Sequence, residues 1–474
     1  METTMTQAKS THPVDEVLPA PQMFVLGLQH VLVMYAGAIA VPLIIGGALG
    51  LSKADIAFLV SADLFCCGLA TMVQCIGVGK VGIRLPVVMG VGFTGIAPII
   101  AIGTNPELGI QWVYGAVLGS GLFTVLAAPY MSRLVRWFPS VVTGTVVLII
   151  GISLMRVGIN WAAGGQPMIS SPTGPIPNPD YGLPSHLIIA GLVLGVVLLV
   201  AAFAKGFISH LSVLVGLIVG FLVALALGNV SFSGVGDASW FAVITPFHFG
   251  LPRFDAFAIA TLCIVMIVMM VESTGVFLAI GEITNRKIAS DDIARGLRAD
   301  GVGNLISGTF NSFTFITYTQ NVGLVQITGV YSRWVVATAG LILVVLGCLP
   351  KVAHVAAAIP AYVLGGAAVV MFGMVAAAGI KILARVDFVS NSRNLYIVAV
   401  SVAVSMIPIV AGRFYSQLPD VVERFMNNGI LVGAFTAILL NMLFNHNTRE
   451  EEEVFTYADE PKSVRKEELL KQGG

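Results

Sequence analysis

Apolar stretches recur along the chain, separated by short breaks rich in charge, proline or glycine. "LIIAGLVLGVVLLVAAFA" (Leu187–Ala204) and "FAIATLCIVMIVMMV" (Phe257–Val271) hold no charged residue. Both approach the length that crosses a bilayer as helix. Lipid offers the backbone no hydrogen-bond partner, so such runs must be helical. Reading runs between breaks predicts fourteen membrane segments, at 23–49, 54–78, 84–102, 110–131, 140–158, 186–204, 207–228, 256–282, 291–310, 314–329, 332–349, 358–384, 393–411 and 428–445. Segments three, nine and ten depart from the pattern because glycines, charges or polar clusters interrupt them.

The interruptions fall at matching places. Segment five opens "FPSVVTGTVVLIIG" and segment twelve "IPAYVLGGAAVVMFG", both reading Pro-x-x-Val-x-Gly before an apolar run. They lie seven segments apart, so equivalent elements enter from opposite sides of the membrane, as in an inverted repeat. Segment three, "IRLPVVMGVGFTGIAPIIAIG", and segment ten, "TFITYTQNVGLVQITG", are the two broken ones. Each reads as a short extended stretch followed by a half-helix. Irregular backbone at that depth is tolerated only where it is buried in protein or lines a cavity. Paired interrupted segments are therefore the best sequence pointer to a binding site.

Composition agrees with the pattern: of 474 residues, 57% are hydrophobic and 11% charged, against about 25% charged in soluble domains. With the N-terminus in the cytoplasm, nineteen of the 25 basic residues fall inside and six outside. That bias supports an even number of spans with both ends cytoplasmic. The first 22 residues are polar and lack a basic region leading to a cleavage site, so no removable leader is expected. They and residues 446–474 read as solvated tails. Zero net charge without a basic cluster excludes nucleic acid as a natural partner. The five cysteines lie in apolar segments without the spacing of a metal site or disulfide framework, so no metal is expected.

Few residues remain to carry chemistry. Glu272 follows an uncharged run, where a carboxylate costs about 2.5–3.5 kcal/mol even on lenient insertion scales. It reads as a ligand acceptor or proton carrier, or else as a carboxylate paired with a neighbouring span. Gln320 and Asn321 stand side by side in segment ten. Planar amides with one acceptor and two donors suit a flat heterocycle with alternating C=O and N–H edges, although membrane amides also glue helices together. Gln29 and His30 interrupt segment one, and Asp300 interrupts segment nine. Nothing resembles a metal cluster or a nucleophile–base pair, so an enzyme is not indicated.

These residues resemble the motifs of the nucleobase–ascorbate transporter family, also called nucleobase–cation symporter-2. Its signature, Gln/Glu/Pro-Asn-x-Gly-x-x-x-x-Thr-Arg/Lys/Gly, is matched by Gln320-Asn321-Val322-Gly323 and Thr328-Gly329. The Gln29–His30 pair, Glu272 in "VESTG", "ADGVGNLISG" around Asp300 and "IPAYVLGGA" extend the likeness over roughly residues 20 to 445. The resemblance implies an all-α polytopic membrane fold of fourteen spans in a seven-plus-seven inverted repeat. Segments three and ten would be strand plus half-helix. Core domains would span 23–134 and 255–350, and gate domains 135–230 and 355–445. It further implies a proton-coupled elevator-type carrier of uric acid or xanthine in the bacterial inner membrane, often a homodimer through the gate. Its partners would be purine, protons and membrane lipid, with no cofactor beyond the coupling proton.

Within that scheme Glu272 and Gln320 would bind the purine, with Gly92, Phe93 and Thr94 beside them. Asn321 would hold segments eight and ten in place. His30, Gln29, Asp300 and Thr319 would support the site or proton coupling. Xanthine permeases tend to carry a polar residue at the position of Gly92 and an aspartate at that of Val276. Their absence here implies a roomier, less polar site and a lean towards uric acid. The alternatives are a uracil or other nucleobase symporter and, from another class, an anion exchanger or channel of similar fold.

Overall fold

The computed structural model describes residues 12–131, 139–171, 174–232 and 234–445. The boundary placed at 134/135, residues 1–11 and the tail 446–474 lie outside these. Nearly all described regular structure is helical. Eight helices are long and apolar enough to cross a membrane, or nine if the pair Arg333–Gly347 and Pro350–Ala357, bent by 79°, is one span. The chain is thus a multi-pass helical membrane protein.

The helices begin and end where their sequences dictate. α1 (Ala20–Ala48) leads to α2 (Lys53–Ile76), whose N-cap Ser52 accepts from the Asp55 N–H at 3.1 Å. β1 (Met89–Val91) is followed by a 3-10 turn, Phe93–Gly95, and by α3 (Ile96–Gly103). Then come α4 (Ile110–Ala127) and α5 (Ser140–Ala162). β2 (Met168–Ser171) and β3 (Gly174–Pro177) form an antiparallel ribbon, for which the apolar-run pattern has no counterpart. α6 (Pro184–Phe203), the single turn α7 (Phe207–His210) and α8 (Ser212–Ala226) complete the first half.

The second half opens with α9 (Ala256–Ile283), capped by Asp255, which accepts from the Ala258 N–H at 2.8 Å. α10 (Ser290–Thr309), β4 (Phe315–Thr317) and α11 (Gln320–Thr328) follow. α11 stops at Gly329, whose left-handed φ of 64° is the glycine-favouring C-cap conformation. α12 (Arg333–Gly347), α13 (Pro350–Ala357), α14 (Ala361–Leu383), α15 (Arg393–Val410), α16 (Asp420–Asn427) and α17 (Gly429–Phe444) end the described chain.

Packing is uneven. α2 packs on α12, α4 on α9 and α10, and α1 on α12 and α2. α5 packs on α14 and α17, α6 on α8 and α14, and α15 on α17. The contact between α5 and α14 is the most extensive, and small residues permit it. A Cβ added at Gly151 would lie 2.3 Å from the Ala376 backbone nitrogen, so only glycine fits there. Such close approach is how helices associate where lipid is as apolar as their side chains.

The chain from His12 to Glu16 is not a free tail. Val14 is fully buried, and Asp15 Oδ1 accepts from Arg333 Nε at 2.6 Å while its Oδ2 lies 3.6 Å from Arg286. Ser332 Oγ donates to the Glu16 carbonyl. One valine and one aspartate thereby fasten a polar stretch across the ends of α9 and α12.

Candidate functional site

β1 and β4 pair antiparallel, with Met89 opposite Thr317, Gly90 opposite Ile316 and Val91 opposite Phe315. The ladder is extended by Gly92 N–H to Thr314 O at 2.7 Å and by Tyr318 N–H to Val88 O at 2.8 Å. Two strands of three residues leave outer edges unpaired inside the protein, and each unmade buried bond costs about 1–3 kcal/mol. Side chains supply what is missing. On β1, the Thr71 hydroxyl accepts from Met89 N–H at 2.9 Å and donates to Met89 O at 3.2 Å. On β4, Asn304 Oδ1 accepts from Phe315 N–H at 3.0 Å while its Nδ2 donates to Phe315 O at 3.3 Å. Thr71 lies on α2 and Asn304 on α10, so each strand is clamped from the helix preceding it.

Asp300 belongs to this scaffold. Its Oδ1 accepts from Gln74 Nε2 at 3.2 Å and from Thr317 Oγ1 at 3.1 Å. Gln74 also donates to Gly296 O and accepts from Ile83 N–H. Thr317 N–H reaches Ser273 Oγ, the neighbour of Glu272, at 3.5 Å. The carboxylate thus joins α2, α10 and β4.

Asn321 is 1% exposed, and its Nδ2 donates to the His30 carbonyl at 3.1 Å and lies 3.2 Å from His30 Nδ1. Its bonds run to α1, not to segment eight as expected from sequence. His30 is equally buried. Gln29, one residue earlier, is half-buried and joins neither this contact nor the strand ribbon.

Glu272 and Gln320 are different. Glu272 is half-buried on α9, which packs against β4, α11 and the Phe93–Gly95 turn. Gln320 and the N-cap Thr319 are exposed. Neither the Glu272 carboxylate nor the Gln320 amide has a partner among the described residues. Beside them, Gly275 has nothing within 4 Å of a built Cβ, so this flank of α9 faces open space. A carboxylate acceptor, a two-way amide and the positive end of a half-helix thus remain without protein partners among the described residues.

Across the ribbon, Thr94 is buried and Phe93 half-buried. The Phe93 ring meets Phe372 of α14 edge-on, with centroids 6.3 Å apart. Gly92 does not leave the room expected of it. A Cβ there would meet the terminal methyl of Met269 at 2.0 Å. Val276 is 4% exposed and packs in a separate apolar cluster with Phe277 and Leu297.

The roles of Met269, Thr71, Gln74 and His210 emerge only from the structure. His210 of α7 stands against α11, its Cε1 2.8 Å from where a Cβ of Gly323 would lie. Isolated polar residues in apolar helices were the available signal for Thr71 and Gln74; for Met269 there was none. A separate apolar cavity of about 320 Å³ lies between α1, α8 and α13, lined by Tyr35, Leu217, Phe221 and Val352 among others. It contains none of the candidate residues.

A family model described as "Permease family" matches residues 21–412. The uric acid transporter UacT of Escherichia coli K12 is 50% identical over 440 residues, covering 93% of this chain and 89% of that one. The xanthine permease of Bacillus subtilis 168 is 46% identical over 420 residues, covering 89% and 93%. The uric acid permease PucJ of the same organism is 44% identical over 430 residues, covering 91% and 94%. Among solved structures, the transmembrane domain of a cyanobacterial bicarbonate transporter, BicA, aligns with TM-score 0.54 at 17% identity over 90% of this chain and 98% of that one. The murine Slc26a9 anion transporter in the inward-facing state aligns with TM-score 0.56 at 13% identity, over 91% and 70%. These two likenesses concern the fold alone.

Proposed function

The chain belongs to the permease family matched over residues 21–412, that of the nucleobase–ascorbate transporters, and on that premise we propose that it takes up oxopurines, uric acid or xanthine, in symport with protons. It is a transporter and not an enzyme, so the purine emerges chemically unchanged. The observation that carries the substrate reading is the unpaired state of Glu272 and Gln320 beside a ribbon whose outer backbone groups at Met89 and Phe315 are engaged by Thr71 and Asn304. Glu272 accepts from ring N–H groups, and the Gln320 amide pairs with a C=O/N–H edge. Backbone near Gly92 and Thr94 adds contacts, and the Phe93 ring stacks on the base. A site that hydrogen-bonds its ligand rejects analogues lacking those groups, because its buried polar atoms are then left unpaired.

Proton coupling runs through Glu272, whose neutralisation, direct or by a relay involving His30, lets the loaded site cross. Spans 1–4 and 8–11 form a core that slides against a gate of spans 5–7 and 12–14. The Thr71 and Asn304 clamps, on helices seven segments apart, support a fourteen-span inverted repeat of seven plus seven. Both termini are cytoplasmic, the membrane is the bacterial inner membrane, and the gate domains pair as a homodimer. No cofactor is needed besides the proton. The fold is shared with anion transporters, but a carboxylate at the open face is poorly suited to an anionic ligand without a proton.

Competition uptake in cells lacking their own purine and pyrimidine permeases tests the reading. Urate and xanthine compete with labelled urate, while uracil, hypoxanthine and guanine compete weakly. Equal competition by uracil would overturn the oxopurine assignment.

A further inference from the structure

Gly92 raises a question that its backbone does not answer. Its φ of −82° and ψ of 133° are ordinary extended values, open to any residue. Space, not conformation, demands glycine. A Cβ would lie 2.0 Å from Met269 Cε and 3.1 Å from Ile316 Cγ2, whereas carbons in contact sit about 3.5–4 Å apart. Position 92 can bear a side chain only if Met269 withdraws.

Met269 is fully buried and lies on α9 three residues before Glu272. That spacing puts the two side chains on one face of the helix, one turn apart. The obstruction is therefore the end of an unbranched chain with three rotatable bonds, the most adaptable filler of irregular space. Ile316, the other neighbour, is stiff at χ1 and is fixed in the β1–β4 ribbon. Of the two, only Met269 can yield.

We propose that Met269 is the specificity-setting partner of Gly92: its methyl fills the space that a side chain at position 92 would need, one helical turn from Glu272, so the two positions together decide the shape offered to the purine. The inference rests on the substrate site described above. A thioether methyl donates no hydrogen bond, so that wall selects by shape, leaving Glu272 and Gln320 to read polar edges. Met269 acts through the space at Gly92 and is a positioning residue.

The test is a double-mutant cycle on labelled urate and xanthine uptake, with KM, maximal rate and membrane abundance recorded for each variant. Gly92→Asn alone is expected to raise KM for both purines about tenfold or more, since contacting residues couple strongly. Gly92→Asn with Met269→Ala is expected to recover most of that loss, with a urate-to-xanthine preference changed several-fold. Met269→Leu, which keeps the volume, is expected to preserve the wild-type preference. Additive effects in the cycle, or a recovered double variant with the wild-type preference, would overturn the proposal. If asparagine at 92 prevents membrane insertion, Gly92→Ala with and without Met269→Ala repeats the cycle with one added carbon, and additivity there is equally fatal. Glu272→Gln is run in parallel. Wild-type uptake in that variant defeats the site itself, whereas a Glu272-dependent carrier with independent positions 92 and 269 defeats this inference alone.

Discussion

Glu272 and Gln320 stand beside polar side chains that bind the scaffold, although Thr314 Oγ1 and Asn321 Oδ1 are also left without a partner. Asp300 holds Gln74 and Thr317, Asn304 holds Phe315, and Asn321 holds His30. A charged group half withdrawn from water without a partner is costly, and such cost at membrane depth marks function. Glu272→Gln keeps the shape and removes the charge. A hydrogen bond to a charged group contributes about 1.5–3 kcal/mol, so urate is expected to bind about 10- to 100-fold more weakly, read by titration of purified protein. Unchanged affinity would remove Glu272 from the site. The same residues show what a sequence discloses. The amide pair and the lone acid stand out by contrast with their apolar neighbours. Their partners do not, because Asn321 finds His30 across 291 residues. The lack of room at Gly92 is hidden for the same reason, since only packing shows that Met269 fills it.

At the scale of elements, the ribbon of β1 and β4 holds the site by side-chain clamps. Thr71→Val keeps the shape but leaves both backbone groups of Met89 unpaired, and Asn304→Ala does the same to Phe315. Each is expected to destabilise the protein by about 1–3 kcal/mol per orphaned group. A lowered unfolding temperature in detergent, beyond that of a control such as Thr104→Val on the exposed end of α3, is the check. The glycines and β-branched residues of segments three and ten point to short extended stretches, and β1 and β4 lie there. That the two stretches pair with one another was not legible, because strands of three residues carry no periodicity to read. The β2–β3 ribbon was missed likewise: it lies between apolar runs, where a hydropathy pattern is silent.

At the scale of the whole molecule, α1, α2, α4, α9, α10 and α12 pack chiefly among themselves, as do α5, α6, α8, α14, α15 and α17. The proposed sliding of a core against a gate would require two such sets of helices. Phe93 against Phe372, and His210 against Gly323, are contacts between the proposed core and gate. The apolar runs made the membrane class legible from composition and pattern alone. The docking of Val14 and Asp15 was hidden, because a polar stretch looks solvated until Arg333 is found beside it. The proposed coupling of purine to protons through Glu272 is open to one direct measurement. Purified protein in proteoliposomes is given labelled urate and an imposed pH gradient, acidic outside. Wild type is expected to accumulate label above equilibrium, with no accumulation when the gradient is collapsed and none in Glu272→Gln. Gradient-independent uptake, or accumulation by Glu272→Gln equal to wild type, would show that Glu272 does not couple purine to protons.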